Sequence, residues 1–281
     1  MKNLKKLAAI IVLIIFSFML LIDLTIYKGC YLKTGYGKIE MGNGNLLNST
    51  NGFIFDTGAN CSYISKRIVN FPILLFPIIL SDTNGSMGLS FVYYGRSVSI
   101  NDSISIHNLS FIRILKRDST HKHFEAIIGM DVISKINMYL SFCNNEIEIM
   151  PIDSIPDIPS DAVRLYYEGT TSPEVSLNIG DIVTDNILVD TGLDDDIALN
   201  VNILKQLIKK NNHNYNIKNN KTLFGAHKQK NYFFRKLSIN SVEYNDVTIL
   251  QSKKNLLGMS FFRRFNHMFW SSKEKTIFLW Y

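Results

Sequence analysis

The sequence Phe53-Ile54-Phe55-Asp56-Thr57-Gly58 has a counterpart in the second half of the chain, Ile187-Leu188-Val189-Asp190-Thr191-Gly192. Each copy is a short apolar run, which predicts a buried strand, followed by Asp-Thr-Gly. A single Asp-Thr-Gly is a common turn sequence, because Asp and Gly both suit tight turns. Two copies that each end an apolar strand indicate instead an internal repeat whose tripeptide has a function.

The repeat continues downstream of both tripeptides. Gly129 follows Ile127-Ile128 and lies 73 residues after Asp56, and Gly258 follows Leu256-Leu257 and lies 68 residues after Asp190. Methionine follows each of these glycines, and a short helix is expected after each. Strands of alternating polarity are predicted upstream of these two glycine motifs, at Ser103–Ile106, Ser110–Ile114, Lys236–Ile239 and Asp246–Leu250. Downstream of each motif a pair of closing strands is predicted, at Met138–Phe142 with Glu146–Met150 and at Met268–Trp270 with Lys275–Trp280. The chain is therefore predicted to consist of two lobes with one plan.

Three prolines within residues 151–159 cannot continue a strand ladder or a helix, and predict an extended linker between the lobes. The expected lobes are residues 28–152 and 161–281, with the linker at residues 153–160. Asn202–Lys210 is the one clear amphipathic helix outside the N-terminus. The Asn- and Lys-rich tract Asn211–Lys221 predicts an exposed loop.

The N-terminal segment has the pattern of a membrane anchor. Lys2, Lys5 and Lys6 precede an uncharged run from Leu7 to Ile22, and Tyr27 ends the apolar stretch beyond Asp23. Such a pattern is either a cleaved signal peptide or an uncleaved signal anchor, and the lack of a small-residue cleavage site favours the anchor. Residues 1–27 are therefore expected to form a transmembrane helix with the lysines in the cytoplasm and the lobes outside it.

Composition excludes several classes of protein. Hydrophobic residues make up 46% and charged residues 19% of the 281 residues, so the chain is not a disordered or low-complexity protein. The net charge of +6 does not indicate nucleic-acid binding. The charge is uneven, because residues 200–281 hold 15 basic and 3 acidic side chains. Either the two lobes attract each other, or a basic surface faces anionic lipid.

The histidines and cysteines do not predict a metal site. No Cys-x-x-Cys or His-Glu-x-x-His motif occurs, and the pair His121 and His123 has no third ligand nearby in sequence. Cys61 lies five residues after Asp56 and is either a nucleophile or, as its lack of a neighbouring histidine favours, a buried apolar residue. Cys61 and Cys143 can pair in an oxidising compartment, which would leave Cys30 unpaired. No cofactor is expected.

The paired motifs resemble those of the aspartic proteases, in particular the retropepsin-like branch. Phe55–Ala59 is similar to the catalytic loop of that family, and the two apolar-apolar-Gly motifs are similar to the strand that supports the loop. The resemblance implies an all-β, two-lobed aspartic-protease fold of β-barrel lobes with short helices, preceded here by the transmembrane helix. Since both motifs lie in one chain, it implies a monomer with an internal pseudo-two-fold axis. It assigns catalysis to Asp56 and Asp190, support of the pair to Thr57, Gly58, Thr191 and Gly192, and a substrate contact to Ala59.

A pair of carboxyl groups can hydrolyse an amide without a metal. One carboxylate takes the proton of a water molecule while the neighbouring carboxylic acid polarises the carbonyl group. Two carboxyl groups in contact do not both ionise easily, so the pair keeps one shared proton over a wide pH range.

Two features of the sequence depart from the family pattern. Leu193 stands where the family has Ala or Ser, and its bulk is expected to press on the second catalytic loop. Asp194, Asp195 and Asp196 follow; they either bind the substrate backbone and favour basic side chains, as an acidic residue of retroviral proteases does, or form a solvated turn.

The family also covers its site with β-hairpin flaps. The expected first flap is Gly85–Ser97, in which Tyr93 or Tyr94 either contacts substrate or is an ordinary strand aromatic. The expected second flap is Phe224–Phe234. Closure of such flaps would hold a peptide as an added strand.

These observations predict a membrane-anchored aspartic endopeptidase that acts on a polypeptide substrate at the extracytoplasmic side of the cell membrane. The alternative is a catalytically inactive peptide-binding module with the retropepsin fold.

Overall fold

The structure is a computed structural model that describes residues 10, 12–13, 31–32, 37–42, 46–81, 87–113, 124–211, 213–222 and 225–281. Strands account for 57% and helices for 11% of it, so the expectation of a mainly β protein is confirmed. Most of the predicted anchor, residues 1–27, lies outside the described residues. Within the described part of the chain, no helix is long and apolar enough to cross a membrane.

The first lobe is an eight-stranded sheet. Its strands are β1 (Tyr31–Leu32), β3 (Phe53–Phe55), β4 (Tyr63–Ile64), β5 (Val69–Asn70), β6 (Ile73–Ser81), β7 (Met87–Ser99), β8 (Ser105–Arg113) and β9 (Ala126–Ile128). The order is β3-β9-β4-β8-β7-β5, with β1 beside β8 and β6 beside β7. The long antiparallel pair of β6 and β7 extends beyond the rest of the sheet as a hairpin, which we call the first hairpin.

The second lobe is a seven-stranded sheet with the same central plan. Its strands are β13 (Glu174–Ile179), β14 (Ile182–Asp190), β15 (Ile197–Asn200), β16 (His213–Thr222), β17 (Gly225–Ile239), β18 (Val242–Ser252) and β19 (Leu256–Gly258), in the order β13-β14-β19-β15-β18-β17-β16. β16 and the first part of β17 form the second hairpin.

In both lobes the strand of the second motif lies between the strands on either side of the Asp-Thr-Gly loop. β9 is parallel to β3 and antiparallel to β4, and β4 is in turn parallel to β8. β19 is likewise parallel to β14 and antiparallel to β15, and β15 is parallel to β18. This arrangement explains the nearly equal spacing of the two motifs along the sequence.

A third sheet belongs to both lobes. Its strands are β2 (Gly37–Glu40), β10 (Asn137–Ser141), β11 (Glu146–Met150), β12 (Val163–Tyr166), β20 (His267–Ser271) and β21 (Thr276–Trp280), in the order β12-β21-β20-β10-β11-β2. The lobes meet at its centre, where β10 pairs with β20 through Met138 and Trp270. The predicted closing pairs are therefore confirmed, and they join into one sheet.

Among the residues from 31 onward that the structure describes, three α-helices interrupt the sheets. α1 (Met130–Ile133) and α3 (Met259–Phe262) directly follow β9 and β19. α2 (Val201–Lys210) confirms the predicted amphipathic helix and begins at Asn200, whose side chain accepts the N–H groups of Asn202 and Ile203. A short 3₁₀ turn spans Lys66–Ile68.

Apolar side chains from both lobes and from the shared sheet form one continuous core. Trp270, at the centre of the shared sheet, is fully buried and stacks on Tyr167 with ring centroids 4.7 Å apart. Separate cores would be expected if the lobes were independent domains, so the shared sheet makes the two lobes one packing unit.

Two predictions of local structure are wrong. The tract predicted as the loop Asn211–Lys221 is mostly strand β16, because ten consecutive residues pair with β17. The two strands predicted at Ser103–Ile106 and Ser110–Ile114 are one strand, β8, which contains Asn108 at φ 52°. Between the lobes, β11 ends at Met150 and β12 begins at Val163, on either side of the Pro-rich segment.

Candidate active site

The two Asp-Thr-Gly loops lie at equivalent places in their lobes. Asp56 follows β3, and its N–H donates to the carbonyl of Ile128 in β9 at 2.9 Å. Asp190 ends β14 and pairs with Gly258 at the end of β19. The apolar-apolar-Gly strand therefore supports the base of each loop through backbone hydrogen bonds.

The loops bring Asp56 and Asp190 together. Their carboxyl groups lie close enough that each affects the pKa of the other. Each carboxylate also accepts the N–H group of the glycine two residues later, at 2.8 Å from Gly58 to Asp56 and at 3.0 Å from Gly192 to Asp190. The two aspartates, which are 134 positions apart in the sequence, thus form one carboxyl pair, the dyad, in which Asp190 is buried and Asp56 is half-buried.

Each glycine packs against the aspartate of the other lobe. A methyl group on Gly58 would lie 2.5 Å from Cγ of Asp190, and one on Gly192 would lie 2.7 Å from Cγ of Asp56. Both distances are far below a carbon–carbon van der Waals contact, so a side chain at either position would push the carboxyl groups apart. The close approach therefore requires glycine in both loops.

The threonines join the two loops by reciprocal hydrogen bonds. The Thr57 hydroxyl donates to the carbonyl of Val189 at 2.7 Å, and the Thr191 hydroxyl donates to the carbonyl of Phe55 at 2.6 Å. Each hydroxyl oxygen also accepts the backbone N–H of the other threonine, at 3.0 and 3.1 Å. Both threonines are fully buried, so the bonds are protected from water and hold the dyad in one geometry.

Burial raises the pKa of both aspartates. The negative charge of Asp56 raises the pKa of Asp190 further, well above its usual value. For Asp56 the backbone N–H groups of Gly58, Ala59 and Gly192 oppose the effect of burial by stabilising the carboxylate. The pair therefore holds one proton at pH values at which two separate aspartates would hold none.

The residue after each Asp-Thr-Gly has the same backbone role in both lobes. The carbonyl of Ala59 accepts the N–H of Met130, and the carbonyl of Leu193 accepts the N–H of Met259, both at 2.8 Å. The Leu193 side chain packs in a small apolar cluster with Ala198, Leu250 and Leu256. Leucine at this position is therefore accommodated without distortion of the second loop.

The three acidic residues after Leu193 have partners within the second lobe. Lys218 of the second hairpin lies 2.9 Å from the carboxylate oxygens of both Asp194 and Asp195. Asp196 forms an ion pair with Arg264 at 2.7 Å and accepts the N–H and the hydroxyl of Thr248. Asp195 and Asp196 are buried, and only Asp194 keeps much exposed surface. The structure thus places these side chains in a polar cluster, and they are neither a solvated turn nor a set of unpaired acids.

The tyrosines predicted at the first flap lie at the base of the first hairpin. Tyr93 is 6% exposed, stacks on Phe111 and has Lys66 4.1 Å above its ring. The hydroxyl of Tyr94 donates to Asn108 at 2.6 Å. Tyr93 therefore belongs to the core, and Tyr94 is bonded within the sheet of the first lobe. Each predicted flap region supplies only the second strand of a hairpin, β7 or β17, and the first strand, β6 or β16, lies upstream of the predicted range. Gly85 and Phe224 lie outside the described residues.

The cysteines do not form a bond within the described structure. Cys61 and Cys143 are both free thiols, so the pairing considered for them is not made, and Cys30 lies outside the described residues. Burial raises the pKa of the Cys61 thiol to about 11. Because the thiolate is the nucleophilic form, this thiol is a poor nucleophile at neutral pH.

The described residues contain no group of three or more His, Cys, Asp or Glu side chains that would hold a metal ion. His121 and His123 lie outside them. No bound cofactor is needed for the chemistry of a carboxyl pair, which acts on water directly.

Several residues of the site region could not be found from the sequence. Lys218 and Arg264 neutralise the acidic cluster from 23 or more positions away, and nothing in the sequence pairs them with it. In the first lobe, Asp131 accepts the Ser62 hydroxyl at 2.8 Å, and Ser62 accepts the N–H of Gly129. The only signal was that Asp131 directly follows the second motif.

Comparison with known proteins adds a distant similarity. No protein-family model matches the sequence, and no curated protein matches it. The chain is similar to a solved retropepsin-like aspartic protease from Rickettsia conorii, with 18% identity, a TM-score of 0.32, and coverage of 42% of this chain and 89% of the other. The chemistry open to this chain is therefore inferred from its own residues.

Proposed function

We propose that the chain is an aspartic-type endopeptidase that hydrolyses peptide bonds with a water molecule activated by Asp56 and Asp190. The observation that carries the proposal is the close approach of two carboxyl groups that come from equivalent loops of two lobes. The reciprocal threonine bonds and the glycine contacts support it, because both are built around that contact.

The mechanism follows from the shared proton. In the first step the ionised carboxylate takes a proton from water, and the hydroxide forms a bond to the carbonyl carbon of the substrate. The proton of the neighbouring carboxylic acid moves to the carbonyl oxygen, which gives a neutral tetrahedral intermediate. In the second step the dyad's carboxylic acid gives its proton to the amide nitrogen. The carbon–nitrogen bond breaks, and the carbonyl re-forms as one hydroxyl of the intermediate gives its proton to the carboxylate of the dyad. The dyad then again holds one proton.

The alternative proposal is an inactive peptide-binding module of the same fold. Two features favour it, the weak second flap and Leu193, whose bulk is expected to disturb the second loop. Leu193 packs with Leu250 and Leu256, and its backbone matches that of Ala59. The retained contact between two ionisable groups favours catalysis, because a peptide-binding site gains nothing from their repulsion.

Replacement of either aspartate by asparagine tests the proposal. The full chain, purified in detergent, would be incubated with a mixed peptide library at pH 4–8, and new termini would be read by mass spectrometry. Asp56→Asn and Asp190→Asn should each lower the rate by about 10³-fold or more, since each removes a group that moves protons. Cleavage that persists in both variants would disprove the mechanism. A folded wild type that cleaves nothing, and that binds a hydroxyl-containing transition-state mimic no better than the plain peptide, would favour the binding module.

We further propose that residues 1–27 anchor the protein in the cell membrane, with both lobes on the extracytoplasmic side. The support is the sequence alone: three lysines before an uncharged run from Leu7 to Ile22. The full chain should stay in the membrane pellet after alkaline carbonate extraction and should be digested by protease added outside intact cells. Release by carbonate would rule out a spanning anchor.

A further inference from the structure

One face of the first hairpin exposes a row of apolar side chains. Ile79 of β6 is opposite Leu89 of β7, and Met87 is two residues along β7 from Leu89. These three side chains are 72%, 64% and 75% exposed, in that order. Alternation along the strands and pairing across them define the whole row, which we call the outer face: Leu74, Pro77, Ile79, Met87, Leu89 and Phe91. A contiguous apolar patch on a protein surface marks a site of interaction.

The opposite face of the hairpin is already covered within the first lobe. Phe76, Ile78 and Leu80 alternate with the residues of the outer face and pack in a small apolar cluster. At the base of the outer face, Phe91 packs against the main core. The exposed part of the outer face therefore begins where the core ends, and the packing of the lobe does not use it.

The charged residues near the outer face are basic. Lys66 lies 4.1 Å above the ring of Tyr93, which is opposite Leu74 at the base of the face. Arg67 is next to it and is exposed. Residues 57–81 and 87–101 hold three basic side chains and no acidic one. An apolar surface with basic side chains at its base matches the boundary between the acyl chains and the headgroups of an anionic bilayer.

The start of the first lobe brings this sheet close to the proposed anchor. β1 pairs with β8, and β8 pairs with β7 of the hairpin. Three residues separate Tyr27, which ends the apolar N-terminal stretch, from Tyr31, which begins β1. The four residue steps from Tyr27 to Tyr31 cover at most about 14 Å of extended chain. If residues 1–27 span the membrane, the sheet that carries the outer face thus begins within that distance of the end of the anchor.

Resting on the membrane anchor of the proposed function, we infer that the outer face of the first hairpin binds the lipid bilayer. Ile79, Met87 and Leu89 enter the acyl region, and Lys66 and Arg67 face the anionic headgroups. A single helix leaves the lobes free to rotate about their tether, whereas a second contact fixes their orientation on the membrane. The contact involves no catalytic step, and so it does not depend on whether the dyad hydrolyses peptides.

A tryptophan placed in the outer face tests the contact. The full chain would be reconstituted into vesicles of phosphatidylcholine and phosphatidylglycerol, with or without bromine on the acyl chains, because bromine quenches tryptophan fluorescence at short range. Ile79→Trp should lose about half or more of the fluorescence that it adds to that of the wild type, since side chains of interfacial segments lie about 5–10 Å into this boundary. No loss beyond that of the wild type would overturn the inference.

The matched control is Val183→Trp. Val183 lies on β14 of the second lobe and is 70% exposed, which is close to the value for Ile79. Bromine should not affect the fluorescence that this variant adds. Equal quenching at both positions would show that the contact is not specific to the outer face and would reject it. Blue-shifted emission of Ile79→Trp that bromine does not quench would place the face against protein, and this would also reject the bilayer as its partner.

A charge on the outer face provides a second readout. Leu89 is directly opposite Ile79, so Leu89→Asp in the Ile79→Trp chain should remove most of the quenching. Val183→Asp in the same chain should leave the quenching unchanged. Both positions are exposed, so neither charge is buried in the folded protein. Quenching that persists with Leu89→Asp would contradict an apolar contact with lipid.

The fluorescence measurement also separates the hairpin contact from the anchor. If alkaline carbonate releases the full chain, the protein would be added to preformed vesicles of the same composition. Quenching of Ile79→Trp that is lost with Leu89→Asp then supports the hairpin contact although the anchor has failed. Unquenched Ile79→Trp in a chain that carbonate does not release rejects the hairpin contact and leaves the anchor in place.

Discussion

Thr57 and Thr191 each make two hydrogen bonds to the other lobe through a single hydroxyl group. The roles of these threonines and of Asp56 and Asp190 were predictable from the sequence. When the same tripeptide occurs at the same place in two lobes, its two copies meet at the pseudo-two-fold axis that relates the lobes. The partner of Asp194 and Asp195 was not predictable, because Lys218 of the second hairpin comes close to them only in the folded protein.

Loss of one threonine hydroxyl should destabilise the whole protein. Thr57→Val leaves the carbonyl of Val189 and the N–H of Thr191 buried without a partner, which should lower the free energy of unfolding by about 2–4 kcal/mol. Thr57→Ser keeps the hydroxyl and should recover most of that loss. Denaturant unfolding measures both. A change below about 0.5 kcal/mol in Thr57→Val would show that the bonds do not hold the lobes.

The pH dependence of stability should contain a contribution from Asp131. Burial raises the pKa of this carboxyl group to about 6, above the value of 3.8 for an exposed aspartate. The folded protein keeps the proton where the unfolded chain has lost it, so this group makes the free energy of unfolding decrease as the pH rises from about 4 to about 6.

The variant Asp131→Asn isolates this contribution. Its amide oxygen can still accept the Ser62 hydroxyl, and its stability relative to the wild type should increase by about 1–3 kcal/mol between pH 4 and pH 7. Thermal unfolding at a series of pH values measures the difference. A difference that does not vary with pH would contradict the raised pKa.

At the scale of the secondary structure elements, the periodicity of the sequence was sufficient to predict the short apolar strands and the helix Val201–Lys210. It predicted the two hairpins only in part. The prediction of a loop is wrong for residues 213–221, because Asn and Lys are rare in strands and so indicate a loop. Here ten cross-strand pairs with β17 outweigh those local preferences. For Tyr93 a substrate contact and an ordinary place in a strand stay open from the sequence, because it shows the alternation of a strand but not which face is the core.

The buried ion pair of Asp196 and Arg264 should fix the loop after the second dyad residue. Arg264 donates through two nitrogen atoms to a carboxylate that is 3% exposed, so Arg264→Met leaves a buried charge and should cost about 3–5 kcal/mol. Lys210→Met removes the exposed pair with Asp181 and should cost less than about 1 kcal/mol. Chemical denaturation compares the two. Equal losses would contradict the structural role of Arg264.

At the scale of the whole molecule, one chain supplies both halves of the dyad. The prediction of two lobes with one plan needed only the repeat, and the parallel pairing of β3 with β9 and of β14 with β19 agrees with it. The sheet in which β10 pairs with β20 was not foreseen, because sequence shows that strands exist but not which lobe pairs with which.

A complete site within one chain predicts that inactive variants do not rescue each other. A mixture of Asp56→Asn and Asp190→Asn should be as inactive as either variant alone, and the specific activity of the wild type should not change on dilution. Peptide cleavage by the mixture at several protein concentrations provides the measurement. Recovered activity would show that lobes from different chains assemble the dyad.

The shared sheet also has a consequence for the continuity of the chain. Residues 151–162 contribute no strand, whereas β10 and β20 hold the halves together on either side of the molecular axis. A backbone break in this segment should therefore leave the architecture intact, with the two pieces held as a non-covalent heterodimer. In such a split protein, two different fragments would associate to form the same paired lobes that the intact chain forms when it folds.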